Sequence, residues 1–312
     1  MRSFIRAAEI WLPSADGALL EFGSGLYGPL ETFEAVSRQI RFRRGEGLPG
    51  EAWAGRRPVL LRDLTDPRFH RIAAAADAGL TCGVAVPVFA GDAIRAVVVL
   101  LCGGDAAQVG AIEIWRHDPD EDAQIGLEDG YYDGADLFET VSRLKRFGRG
   151  FGLPGAVWAA GMPLVVRDLY RSDRFLRREE ARQVGLNLGL GLPLDHDPPR
   201  TWVMVFLSAL GASIAGRFEI WVPDGEGRLV YEAGLSEGGA DEADGTRPAA
   251  VSAGTSLLGQ VLATGLPATS ADAGTDAPWL VAGDERRTTH AALAIPTLHP
   301  DGTLKAVTVW RF

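Results

Sequence analysis

Glu9-Ile10-Trp11 returns as Glu113-Ile114-Trp115 and again as Glu219-Ile220-Trp221, and this recurrence decides how the rest of the chain is read. The same landmarks follow each copy in the same order. Gly47-Leu48-Pro49-Gly50 is matched by Gly152-Leu153-Pro154-Gly155 and, with drift, by Ser256-Leu257-Leu258-Gly259. Pro58, Pro163 and Pro267 come next, each with an aspartate five residues later at Asp63, Asp168 and Asp272. Pro87, Pro193 and Pro296 then sit inside apolar segments that lead to a second apolar run ending near Cys102, Ser208 and Arg311. The step of about 105 residues is too long for a solenoid unit, so each copy is expected to carry its own core. The copies are expected at residues 1–105, 106–212 and 213–312, the third being divergent.

Within the first copy, residues 8–11 and 18–22 read as two strands around the turn Pro13-Ser14-Ala15-Asp16-Gly17. A short helix over Glu31–Ser37 and a strand over 39–44 follow. Pro49 suits a helix start, where its missing N–H costs nothing. A strand at 58–62, an alanine-rich helix at 69–78 closed by Gly79, and a terminal hairpin of 83–89 and 96–101 complete the unit. This order predicts an α+β protein of three tandem domains, each an antiparallel sheet with helices packed mainly on one face.

Of 312 residues 46% are hydrophobic, enough for a core in each copy, and 31 basic against 41 acidic residues leave a net charge of −10. Nucleic acid and anionic membrane surfaces are therefore disfavoured as partners. The longest uncharged stretch, residues 201–216, is broken by Gly and Ser and too short to cross a bilayer as a helix. The N-terminus lacks the apolar run of a secretory signal, and the cysteines, Cys82 and Cys102, are too few for a disulfide framework. A reducing, cytoplasmic setting is expected.

The ordered set Gly45-Glu46-Gly47-Leu48-Pro49-Gly50-Glu51-Ala52-Trp53, Pro58, Asp63, Ala78-Gly79-Leu80 and Val84-Ala85-Val86-Pro87-Val88 resembles the GAF family. The second copy repeats it through Trp158, Pro163, Asp168, Gly185-Leu186 and Gly191-Leu192-Pro193-Leu194. The resemblance implies a pocket between sheet and helices that holds a small molecule or serves only for dimerisation, and a sensory or regulatory role without a catalytic output. It does not choose a ligand. The candidate contacts it suggests are Trp53, Asp63, Phe69 and His70, with Trp158, Asp168 and Phe175 in the second copy.

Subfamily chemistry narrows this. Bilin-binding members need a cysteine where this chain has Phe69-His70-Arg71, Phe175-Leu176-Arg177 and Pro278-Trp279-Leu280, so no bilin is expected. Neither haem nor a cyclic nucleotide is supported, and no cofactor is expected. One enzymatic branch reduces free methionine sulfoxide through paired thiols; Cys82 and Cys102 could meet across the terminal hairpin, although two buried thiols acting as small apolar residues explain them as well. The histidines, His70, His117, His196, His290 and His299, are scattered, and no metal site is expected. Basic residues cluster at the third strand, Arg38, Arg41, Arg43 and Arg44 in one copy, Arg143, Lys145, Arg146 and Arg149 in the next. Arg41, Arg43, Arg146 and Arg149 are candidate contacts for an anion at a helix N-terminus, or else guards of an exposed edge strand. Asp63 and Asp168 read first as turn acceptors.

The joints carry a last expectation. Cys102 to Glu113 and Ser208 to Glu219 are 11 residues each, too few for the two helices that flank a full-length GAF domain. The bare sheet faces are therefore expected to pack on one another, within the chain or across a homo-oligomer, with Trp11, Trp115 and Trp221 at or near the contacts. A pure assembly scaffold is the remaining alternative.

Overall fold

The computed structural model describes residues 4–103, 110–133, 135–194, 198–209, 214–236, 247–281 and 290–312. The expected joints at 105/106 and 212/213, and His196, lie outside the described residues. The first repeat contains β1 (Ile5–Pro13), β2 (Leu19–Leu26), α1 (Glu31–Ser37), β3 (Arg41–Arg43), α2 (Gly47–Gly55), β4 (Val59–Leu61), α3 (Ile72–Asp77), β5 (Cys82–Ala90) and β6 (Ala93–Cys102). The second contains β7 (Gly110–His117), β8 (Ile125–Asp133), α4 (Asp136–Leu144), β9 (Arg146–Phe147), α5 (Gly152–Ala160), β10 (Leu164–Val166), α6 (Arg178–Val184), β11 (Leu186–Leu194) and β12 (Thr201–Ala209). The third contains β13 (Arg217–Pro223), β14 (Leu229–Ser236), α7 (Leu257–Thr264), β15 (Ala268–Ser270), α8 (Ala273–Asp276), a 3₁₀ turn (Pro278–Leu280), β16 (Ala292–Leu298) and β17 (Leu304–Arg311).

Each repeat forms one antiparallel sheet in the same order: β3-β2-β1-β6-β5-β4, β9-β8-β7-β12-β11-β10 and β14-β13-β17-β16-β15. The fold is α+β, as the element order implied. The third sheet lacks the edge strand among the described residues. Val251 bridges Leu229 at the place where Phe42 pairs with Leu20 and Phe147 with Ile125. No helix among the described residues is long and apolar enough to cross a membrane.

Period-two alternation divides every central strand between two cores. In β6, Val97, Val99 and Leu101 face the helices, whereas Ala96, Val98, Leu100 and Cys102 face the other way. The helix-side residues build a separate core in each repeat. The opposite faces of all three sheets merge into one shared core, with Phe4, Val84 and Val98 from the first, Ile114, Leu190 and Phe206 from the second, and Phe218, Leu293 and Trp310 from the third. The faces left bare by the short joints are thus covered within the chain. Aromatic edges knit the seams: Phe206 meets Trp310 at 4.9 Å and Phe4 meets Tyr131 at 5.9 Å.

The contacts between repeats run in one direction. β4 lies against β8, β10 against β14, and β15 against β2, so each repeat offers the same edge to the same strand of its neighbour and the third returns to the first. Arg62 bonds Asp129 and reaches Glu139, Arg167 donates to the Gly234 carbonyl at 2.6 Å, and Thr269 donates to Ser24 at 2.9 Å.

The tryptophans do not sit at these contacts. Trp11, Trp115 and Trp221 are fully buried on the helix-covered faces. The reason is the same alternation: Trp shares a face with the Glu two residues before it, and that carboxylate needs the polar partners found only beneath the helices. Ile10 and Ile114, between them, face the shared core.

Candidate functional site

Glu9 stands in the middle of an apolar strand and has no exposed surface. A carboxylate there must be both neutralised and hydrogen-bonded. Arg71, just before α3 and itself 3% exposed, grips it with both terminal nitrogens, Nη2 lying 3.0 Å from Oε2. Trp11 Nε1 donates to Oε2 at 3.0 Å and the Tyr27 hydroxyl to Oε1 at 3.0 Å. Arg71 also donates to Ser37 Oγ at 2.5 Å, and its guanidinium carbon lies 4.7 Å from the ring centre of Phe33 and 5.0 Å from that of Phe69. Burial, and then the Glu9 charge, pushes the Tyr27 phenol far above its usual range.

The second repeat reproduces the set. Arg177 pairs with Glu113 and Ser142; Trp115 and Tyr132 donate to Glu113 at 2.9 Å each. Phe138 lies 4.5 Å from the guanidinium and Phe175 5.2 Å. Burial and Glu113 raise the Tyr132 pKa likewise. The third keeps carboxylate and indole but changes the cations: Glu219 is bound by Trp221 at 2.9 Å, Trp279 at 3.1 Å, Arg217 at 2.8 Å and Arg247 at 3.1 Å. Between sheet and helices, each repeat thus holds a buried carboxylate, guanidinium and aromatic cluster supplied by the chain.

Of the residues singled out from sequence, Phe69 and Phe175 belong to these clusters. Trp53 is half-buried against the first core. Trp158 packs on His117 with ring centres 4.0 Å apart and under Arg149 at 5.9 Å. Asp63 and Asp168 accept the backbone N–H of Thr65 at 2.8 Å and Tyr170 at 3.0 Å, the turn role expected of them, and the Thr65 backbone bond lowers the Asp63 pKa. His70 is exposed beside Phe42 at 5.8 Å. The cations stay on the surface at sheet edges: Arg41 pairs with Glu21 at 2.8 Å, Arg43 is exposed on the same short strand, and Arg146 lies 3.9 Å from Asp122. Of the predicted cations, Arg149 meets a predicted aromatic, Trp158, whereas Arg41, Arg43 and Arg146 lie at sheet edges away from the buried Phe69 and Phe175.

Cys82 and Cys102 are directly opposite across the β5–β6 hairpin, buried and unoxidised, and both face the shared core. Burial, and then the Cys102 neighbour, raises the Cys82 pKa well above the ordinary thiol range. Glu9, Arg71 and their counterparts were missed as a set. The available signal was a carboxylate repeated in an otherwise apolar strand together with the repeated Phe-x-Arg of Phe69-His70-Arg71 and Phe175-Leu176-Arg177.

Comparison with known proteins places part of this architecture. The family model described as GAF domain matches residues 5–109. Comparison with curated proteins gives no match. Among solved structures, the A. aeolicus nlh2 GAF domain in an inactive state is 14% identical over 32% of this chain and 59% of its own, at a TM-score of 0.26. The reduced form of fRMsr of Staphylococcus aureus is 22% identical over 32% of this chain and 56% of its own, at 0.25. An NreA protein of S. aureus mutated in its nitrate binding site is 15% identical over 35% and 80%, at 0.28. The chain spans 59% and 56% of the length of the first two structures.

Proposed function

From a chain whose residues 5–109 match the GAF domain family model and whose three sheets keep one strand order, we propose a sensory or regulatory protein that works by binding and not by catalysis. The observation that carries this reading is that the buried carboxylate of each repeat is bonded within the chain. Glu9, Glu113 and Glu219 are each saturated by arginine and indole donors, so none is poised to move a proton or to receive substrate. The thiols support the same conclusion. A nucleophilic cysteine needs a lowered pKa and access, whereas Cys82 has a raised pKa and faces the shared core, away from the helix-covered side. No bilin, haem or nucleotide forms part of the proposal, and the free thiols suit a reducing cytoplasm.

The test is turnover of free methionine sulfoxide with a thiol reductant. We expect none above the reductant alone, and native thiols that resist alkylation until the chain unfolds. Turnover that disappears on Cys82→Ser with Cys102→Ser would replace the regulatory reading by the reductase alternative.

A further inference from the structure

Pro87, Pro193 and Pro296 occupy the same place in β5, β11 and β16, and all three line one cavity of about 150 Å³ where the terminal hairpins converge. Its walls are mainly apolar, with Val86 and Phe89 from the first repeat, Leu192 and Leu194 from the second, and Ile295 and Leu298 from the third, while Arg56, Asp92 and His299 also line it. No single repeat contains this site. An apolar cavity of about this volume is large enough to take a benzene ring.

The wall also carries the chain's one described non-glycine residue at positive φ. Helices α2, α5 and α7 all end in a left-handed residue, which is Gly161 (φ 56°) in the second repeat, Gly265 (φ 64°) in the third, but Arg56 (φ 50°) in the first. Glycine is the residue suited to that cap, and a side chain held there is a strain typical of functional positions. Arg56 spans from the cap to the β5–β6 turn, where Nη2 donates to the Gly91 carbonyl at 2.8 Å, Nη1 lies 3.4 Å from the Asp92 carboxylate, and the guanidinium lies 4.4 Å from the Phe89 ring centre. It fixes the lip of the cavity. Thr308, also in the wall, is committed to the Ile295 carbonyl at 3.3 Å. Arg56 and Thr308 are thus engaged within the chain, and the apolar part of the wall favours an uncharged guest.

We propose that this junction binds a compact, uncharged ring compound of benzene to indole size. Resting on the regulatory reading above, the proposal makes such a compound the regulator. Because all three repeats contribute wall, the guest binds only the closed arrangement and stabilises it by mass action.

The experiment titrates the full chain with benzene, phenol, indole and benzoate, reading binding by ligand-observed NMR and by thermal shift. The expected result is saturable binding of the uncharged rings at one site, benzoate being weaker by about tenfold or more. Thr297→Trp, which projects bulk from the wall, and Leu192→Phe, a milder filling, are expected to abolish or sharply weaken binding while the melting transition is retained. Absence of saturable binding, benzoate bound as well as benzene, or affinities unchanged in both variants would overturn the proposal. Methionine sulfoxide turnover would sink the regulatory reading and leave this binding result untouched, so the two failures are distinguishable.

Discussion

Removal of Arg71 tests whether the buried clusters hold the repeats together. Arg71→Met keeps most of the aliphatic volume between Phe33 and Phe69 but deletes both bonds to Glu9 and the one to Ser37. Glu9 would keep only Trp11 and Tyr27 as donors, leaving a carboxylate with no exposed surface and no countercharge. Breaking one side of such a pair costs about 3–5 kcal/mol, a large share of the roughly 5–15 kcal/mol that a folded domain has in all. Removing both charges with Glu9→Gln and Arg71→Met leaves a neutral amide beside the same two donors, so the double variant should cost only about 1–3 kcal/mol. The cycle therefore predicts strong coupling between the two sites. Arg247→Met in the third repeat should cost less than Arg71→Met, because Arg217 still neutralises Glu219 at 2.8 Å. A three-repeat chain need not unfold in two states, so the assay is native-state hydrogen exchange read separately in each repeat. An Arg71→Met cost below about 1 kcal/mol, or a double variant as costly as the two singles summed, would refute the reasoning.

Alkaline pH should weaken the fold through Tyr27 and Tyr132. Both phenols have folded-state pKa values raised by burial and a neighbouring carboxylate, so their contribution is whole below the unfolded value of about 10 and is lost as pH rises above it. Melting temperatures from pH 8 to 11.5 should fall more steeply for the parent than for Tyr27→Phe with Tyr132→Phe; equal slopes would show that these phenols ionise freely in the fold. At the seam of the second and third repeats, Trp310→Ala removes a fully buried ring that packs on Phe206 at 4.9 Å and Phe218 at 5.2 Å. A loss of about 3–5 kcal/mol is expected, with the third repeat melting below the other two; melting shifted by less than about 2 °C in every repeat would count against the shared core.

The order of elements was legible because its signals are local. Gly-Leu-Pro-Gly marks α2 and α5 for a reason visible in the packing. Gly47 and Gly152 adopt φ of 64° and 62°, and a Cβ on them would stand 2.7 Å from the Phe42 ring and 2.8 Å from the Phe147 ring. In the third repeat Val251 stands where those rings are, and Ser256 takes the glycine's place, its hydroxyl capping α7 by accepting from the Gly259 N–H at 3.2 Å. The drift there is a coupled exchange of ring and glycine. What sequence did not reveal is non-local. Arg71 lies 62 residues from Glu9, and Arg247 reaches Glu219 from a different part of its repeat, so no fixed spacing announces the pair. The same limit misplaced the tryptophans: alternation shows that Glu and Trp share a face, but which face is covered by helices depends on the folded repeat.

The cyclic arrangement also explains why the copies follow one another with joints too short for a full set of flanking helices. Each contact joins two different surfaces, the short strand β4, β10 or β15 of one repeat and the second strand β8, β14 or β2 of the next. Head-to-tail contacts of this kind generate an open filament unless the rotation closes, and here it closes at the third copy. Closure covers the inner face of all three sheets at once. A full set of flanking helices would occupy the face that the neighbouring repeats require. Stability is then not a sum over independent domains, as it is in an open repeat array. Loosening any one seam exposes apolar surface from all three sheets, and the cavity at the hairpin junction exists only while every seam is made.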